Sequence, residues 1–317
     1  ELIKVNLYGN NVTHKLRDNF RSSIVKKRYA DFNHPTRFEA VVTHQTASSN
    51  ANTLDVTYVT GSATTLDVGR SRTAEFEVIF PKKLEKGDDN YFATNFLSSS
   101  IGGWSRVKTS LDIQDYSGFG DAANRSLRLY AVRPFKESKD VYFVLENPEG
   151  TIRLTSDTYQ DVYEDTKWNF AVKTSPGKGA QSDYASGSDS PEAVNIELYG
   201  CNVELGVVKN EFTVSTTLQA SNSSNYYTTP RRYYAGAQRT NITGSVVTKS
   251  DVKISSIRHW ESLLSNEEVQ AHAKNTDSYG VLRPYESTYV FDEATQGHHI
   301  PKIETLSLHW NFGDVTA

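Results

Sequence analysis

Residues 231–280 (RRYYAGAQRTNITGSVVTKSDVKISSIRHWESLLSNEEVQAHAKNTDSYG) read as strand, Gly turn, strand and one short capped helix. No other stretch has so clear a helix signal, and that limits what the chain can fold into. Ser265 stands at an N-cap position, and Glu268 three residues on completes a capping box. Glu267 and Glu268 fall in the first turn, where the helix dipole favours acid. The pattern predicts a helix over about 265–275. A helix of this length is marginal alone. It therefore has to dock, through Val269, with Trp260, Leu263 and Leu264 as upstream anchors.

The rest of the chain reads as strands. Candidates are 2–12, 37–44, 53–60, 73–80, 141–145, 151–155, 167–174, 194–199 and 211–218. In 73–80 the period-two alternation puts Phe76, Val78 and Phe80 on one face; in 167–174 it buries Trp168, Phe170 and Val172. The turn ENPEG between 141–145 and 151–155 is a hairpin signal. The Gly/Ser/Pro-rich segment 175–193 predicts a long surface loop. Short strands, close Gly, Asn and Pro punctuation and no βαβ alternation predict an all-β chain: an antiparallel β-sandwich of jelly-roll form with one short C-terminal helix.

Composition narrows the function classes. Net charge is −4 with both signs scattered, so no basic stripe marks a nucleic-acid surface. No apolar run reaches membrane-spanning length, so no membrane insertion is expected. The single cysteine, Cys201, excludes an internal disulfide and a Cys-based zinc site, and leans towards folding in a reducing compartment. The chain has no methionine and opens mid-pattern, which reads as a piece of a longer polypeptide.

LYGNNV (7–12) and LYGCNV (198–203) echo each other, with a spacing of roughly 190 to 205 residues once a weaker downstream match is included. On that basis 1–66 reads as the tail of a preceding repeat and 67–283 as a whole unit. Residues 284–317 then form an extension whose strand TLSLHWNF starts a next unit.

Three places resemble the laminin-G-like, concanavalin-A-like jelly roll. KWNFAVKT (167–174) resembles that family's Trp-to-Ala-Val strand. VNIELYGCNV (194–203) resembles its strand ending in a Tyr-x-Asp/Asn-Gly turn, altered here to Gly200-Cys201-Asn202. AGAQRTNITGSVVTKSDVKISSIRHWESLLSNEEVQAHA (235–273) resembles its closing strand and exit helix. The run through Arg232–Gly244, with SDVK and RPYE, is similar to sandwich modules repeated in large structural proteins of tailed bacteriophages. The resemblance implies a module of a virion protein and rim loops that take glycan or Ca²⁺.

Candidate site residues follow from those chemistries. A glycan platform needs rings beside polar groups, which points to Trp104 on a Ser/Gly-rich loop and to Tyr226, Tyr227, Arg231 and Arg232. A Ca²⁺ site needs converging hard oxygens, and Asp88, Asp89 and Asn90 supply three in a row. The strand motif E-x-D-x-E, which would set two carboxylates on one face for glycoside cleavage, is missing. The histidines make no metal pattern. The expectation is a non-catalytic structural and adhesive module of a virion fibre, neck or capsid surface. Its partners would be other virion subunits, copies of itself or host glycan. The alternatives are a glycoside hydrolase or lyase on the same sandwich, and an extracellular cell-surface adhesin.

Overall fold

Alternation in the strands becomes two sheets whose inner faces share one core. The computed structural model describes residues 29–43, 71–89, 91–94, 96–106, 126–148, 150–176, 193–219, 231–239, 245–260, 262–274, 306–310 and 312. The strands are β1 Ala30–Asp31, β2 Val41–Thr43, β3 Arg72–Phe80, β4 Ser98–Arg106, β5 Leu127–Val132, β6 Tyr142–Glu146, β7 Arg153–Thr155 and β8 Thr166–Pro176. They continue as β9 Ala193–Glu204, β10 Val207–Gln219, β11 Arg231–Gly236, β12 Gln238–Arg239, β13 Val246–Thr248, β14 Lys253–Trp260 and β15 Leu306–Trp310, with the helix α1 Asn266–Lys274 before β15.

The first sheet runs β1-β14-β3-β8-β9-β10, with β15 also on β14; the second runs β2-β11-β4-β5-β6-β7. All pairings in both are antiparallel. β1 covers the first half of the β14 edge and β15 the second half. Strands from 1–66 and from 284–317 are thus built into the same two sheets as those of 67–283. The LYGNNV copy of the echo and the expected strands 2–12 and 53–60 lie outside the described residues.

Phe76, Val78 and Phe80 of β3 meet Trp168, Phe170 and Val172 of β8, as the alternation predicts, and all are buried. The second sheet adds Trp104, Leu127, Leu129, Phe143 and Tyr233. Phe143 sits 4.7 Å from Phe170 and 4.9 Å from Trp168, ring centre to ring centre, so the sheets interlock through aromatic edges and faces. The strand expected over 37–44 is confined to β2. Upstream of it the chain turns, with the Phe38 N–H bonded to the His34 carbonyl.

Gly200-Cys201-Asn202 is not a turn. β9 runs straight through it, and the reversal comes at Leu205-Gly206, both with positive φ. A Cβ on Gly200 would lie 2.4 Å from Phe212 and 3.1 Å from Phe170. The glycine is there to let two rings pack over the strand, which a sequence pattern reads as a break.

α1 docks on the outer face of the first sheet. Its capping box forms as predicted: the Ser265 N–H donates to Glu268 Oε2 at 2.7 Å, and the Glu268 N–H donates to Ser265 Oγ at 3.2 Å. Val269 and Ala273 pack with Trp260, Leu264, Tyr199 and Cys201 in a second apolar cluster. Leu263 is not an anchor; it is 42% exposed. Beneath the helix lies Glu75. It accepts from the Trp260 indole N–H at 2.6 Å, and His272 Nδ1 lies 2.8 and 2.9 Å from its two oxygens. Burial alone would raise the Glu75 carboxyl. The facing His272, then Arg258 and the Trp260 indole, hold it below the ordinary carboxylate value of 4.5.

Two outcomes follow. Gly200→Ala will lower stability by about 1–3 kcal/mol, because rings on both sides must shift; a fall in the urea midpoint without a change of slope checks this. Glu75→Gln will cost about 1–3 kcal/mol near neutral pH by breaking the buried bonds to His272 and Trp260. A carboxylate whose folded pKa is depressed stabilises above its unfolded value and loses that contribution as pH falls through the folded one. The gap between the two proteins should therefore narrow below pH 4.5, measured by unfolding at stepped pH.

Candidate functional site

Strand register sends one set of connections to one end of the sandwich. Phe80 pairs with Thr166, Trp168 with Asn202, and Ile79 with Lys253. In the other sheet Ser98 pairs with Val132 and Val132 with Tyr142. Residues 81–89, 91–94, 96–97, 133–141, 156–165, 205–206 and 249–252 therefore gather there. Bonds tie them together: the Lys83 N–H donates to the Tyr163 carbonyl, the Arg133 N–H to Leu97, and the Tyr163 N–H to Lys139.

A buried ion pair fixes this rim. Arg133 Nη2 bonds Asp251 Oδ2, and both side chains are almost wholly out of solvent. The Tyr163 hydroxyl donates to Asp251 Oδ1 at 2.7 Å, and the Asp251 N–H donates to Ser99 Oγ at 3.0 Å. The guanidinium also donates to the Phe96 carbonyl at 3.2 Å and lies 4.1 Å over the Tyr163 ring. Burial first, and then the Asp251 charge, push the Tyr163 phenol well above its ordinary value. The group therefore stays a neutral donor. Four loops meet on this one charged centre, so it sets the rim geometry.

Above that centre the rim is apolar and charged by turns. Phe135 is 59% exposed and Tyr91 40%; Leu97, Leu205 and Val207 are also exposed at this end. Among the described residues, five of the seven exposed large hydrophobic side chains thus lie here. Lys139 pairs with Glu164 and lies 3.9 Å from Glu85, and Lys82 is 4.0 Å from Glu164. Lys83 donates to the Lys136 carbonyl. Partial burial, followed by the Arg133 charge, lowers its ammonium pKa.

Of the residues singled out from sequence, Trp104, Arg231 and Arg232 lie on the adjoining strands β4 and β11, while Asp88 and Asp89 lie on the rim at the other end. Trp104 is not on an exposed loop: it is 1% exposed, on β4, paired across to Leu127 and Tyr233 in the core. Gly102 and Gly103, which gave the stretch its loop-like look, are there for close strand approach. Added Cβ atoms would lie 2.6 Å from the Tyr234 carbonyl oxygen and 2.2 Å from that of Leu127. Arg231 and Arg232 pair with Arg106 and Ser105 on β4, at the end away from the rim. Tyr226, Tyr227 and Asn90 lie outside the described residues. Asp88 Oδ2 accepts the Glu85 N–H at 2.7 Å, so this carboxylate closes its own turn. Asp89 is exposed beside it. Among the described residues no group of three His, Cys, Asp or Glu side chains is placed to hold a metal. Sequence reasoning missed Phe135; its signal is an aromatic set between Pro134 and Lys136 in a strand-to-strand turn.

A second polar group lies on the outer face of the second sheet. The Tyr130 hydroxyl donates to Gln238 Oε1 at 2.6 Å, Arg128 pairs across to Glu146, and Arg153 reaches Glu146 at 3.0 Å. Burial raises the pKa of both the Tyr130 and Tyr234 phenols. Both phenols therefore stay protonated at neutral pH.

No family model matches the chain, and no curated protein matches it. Similar solved structures include the enzymatically active domain of bacteriophage CBA120 tailspike protein 2, at 11% identity and TM-score 0.36, covering 65% of this chain and 24% of that one. The chain thus spans about a quarter of the tailspike chain. Others are the CBM40 of the Ruminococcus gnavus IT-sialidase, at 12% identity, TM-score 0.32 and coverage of 78% and 97%, and an alginate lyase from Klebsiella pneumoniae, at 11% identity, TM-score 0.27 and coverage of 60% and 59%. Likeness at this level assigns no site. Among the described residues no helix is long and apolar enough to cross a membrane.

Asp251→Asn will leave the Arg133 charge buried and unpaired. Stability should fall by about 3–5 kcal/mol. Limited proteolysis should show cleavage in 81–97 or 133–140 before the sheets unfold.

Proposed function

We propose that this chain is a non-catalytic structural and adhesive module of a larger virion protein, gripping glycan or a partner subunit with its rim. The observation that carries this is the exposure of Phe135, Tyr91 and Leu97 on loops pinned by the buried Arg133–Asp251–Tyr163 centre. Apolar side chains gathered at one place in water mark a contact surface. Rings held on a rigid base lose little entropy on binding, and they suit the C–H faces of sugars and the apolar centre of a protein interface. The Lys and Glu side chains around them supply the polar part of either contact.

Four carboxylates of the rim are engaged by neighbouring rim groups, which supports binding over cleavage. Asp88 closes its turn, Asp140 accepts the Asp161 N–H at 3.0 Å, Asp165 accepts the Lys82 N–H at 2.9 Å, and Glu164 is engaged by Lys139. Glycoside hydrolysis asks for two opposed carboxyl groups, one with a raised pKa. The virion setting is supported by the sequence resemblance to repeated phage sandwich modules. It is also supported by a lone, fully buried cysteine that needs no oxidising compartment. Weak rim contacts become effective when such a module is repeated on a particle.

Binding to a panel of bacterial surface polysaccharides, followed by calorimetry on the best, tests the proposal. Phe135→Ala and Tyr91→Ala should each weaken binding roughly tenfold, about 1.4 kcal/mol, with the unfolding temperature unchanged. Release of reducing ends or unsaturated sugars from the same polysaccharide would overturn it, and would move attention to Arg128, Tyr130 and Gln238.

A further inference from the structure

The sheet edges are treated unequally. The second sheet ends in β2 and β7, of three residues each. The first sheet ends on one side under β1 and β15. On the other side it ends in β10, a strand of 13 residues with no described strand beyond it. A long open edge presents a row of unpaired backbone groups and is a template for another strand. β10 carries one irregularity, between Val208 and Asn210, and is in unbroken register from there to Gln219. The stretch Phe212–Gln219 has no proline and no charge.

The inner face of this edge is also short of cover. β7 stands opposite with only three residues, so Phe212, Val214 and Leu218 point inward yet remain half-buried, while Ile196 and Leu198 of the neighbouring β9 are fully buried. Tyr159 and Phe212 stack at 5.8 Å at the same open side. A further strand on β10 would satisfy the backbone and cover this apolar row together.

We propose that β10 is a pairing edge for a second copy of this chain, two β10 strands meeting antiparallel about a two-fold axis at Ser215. The sequence of β10 is complementary to itself in that register. Phe212 comes opposite Leu218, Val214 opposite Thr216, Thr213 opposite Thr217, and Glu211 opposite Gln219. The inward row is mainly apolar against apolar, the outward row hydroxyl against hydroxyl, and no like charges face each other. Ser215 is the midpoint of 211–219, so this register uses all but one residue of the straight part of the strand. The outward side chains of Thr213, Ser215 and Thr217 are exposed, and α1 reaches only the start of this row, through Asn266 to Thr213 and Gln270 to Glu211. The interface is a self-complementary, closed one. It lies along the side of the sandwich, apart from the rim loops that carry the proposed contact.

The test is the solution mass across a dilution series by sedimentation equilibrium, on the full chain and on Ser215 variants. The chain should pass from one to two copies with concentration. Ser215→Thr should keep the dimer. Ser215→Lys, which sets two ammonium groups against each other on the axis, should weaken it by at least about tenfold. Ser215→Cys should form a disulfide-linked dimer under mild oxidant. The only other thiol, Cys201, is fully buried, and burial pushes it up to about 12, so it does not compete. Ser215 is on the exposed face, so equal unfolding temperatures for all three variants, measured reduced and at a dilution where each is a single copy, will show that the fold is intact. A single-copy mass at every concentration together with no Ser215→Cys dimer overturns the proposal. So does a dimer that Ser215→Lys leaves unchanged.

Discussion

β3 is the strand on which the rest depends, because its two faces carry opposite chemistry. Phe76, Val78 and Phe80 face the aromatic core, and Glu75 and Glu77 face outward yet are buried too. An inner row of this kind needs only a second sheet to cover it. An outer row of buried carboxylates needs partners. Glu75 takes the Trp260 indole and His272, and Glu77 takes Ser255 Oγ at 2.7 Å and Lys167 at 3.4 Å. Those partners come from β14, from β8 and from α1, so the charges of one strand specify what must pack beside and above it. A helix held only by Val269 and Ala273 could slide along an apolar sheet; the His272–Glu75 contact gives it one position.

The same division between apolar and charged groups recurs at the rim. Phe80 packs at 5.2 Å from Tyr163, and Tyr163 passes its hydroxyl to Asp251 and its ring face to Arg133. The core is thereby joined through one aromatic residue to an ionic centre that orders four loops. Exposed rings on loose loops would collapse onto the nearest apolar surface. Phe135 and Leu97 stay out because their backbones are bound to Ser138 and Arg133. Exposure at this end is thus a consequence of structure underneath it.

What the sequence made legible is what local chemistry decides. The alternation of 73–80 and 167–174, the burial of Trp168 and Trp260 and the Ser265–Glu268 capping box all depend on neighbours close along the chain, and all appear as read. Misreadings cluster at glycines. Gly102, Gly103 and Gly200 look like turn residues, but each serves an approach of a distant strand or ring, from Tyr234, Leu127 and Phe212. That requirement comes from residues between 12 and 132 positions away, as the numbering of each pair shows, and no local pattern contains it. The error at Trp104 follows directly: with Gly102 and Gly103 taken as a loop, the tryptophan beside them looked exposed.

The site was less legible than the fold for a related reason. Asp88 and Asp89 look like ion ligands in a row, yet the Asp88 carboxylate is turned back onto the Glu85 N–H. Phe135 looks like one more aromatic of a β-rich chain, yet the turn that holds it faces away from the core. Whether a side chain is spent on its own loop or offered outward depends on where register brings that loop. Here register brings the charged centre and the exposed rings to the rim, and leaves the hydroxyl-lined, uncharged part of β10 along the side. The two surfaces differ in kind: the rim offers side chains on fixed loops, and the edge offers backbone. Both can be used at once, since a strand added along the side leaves the rim uncovered.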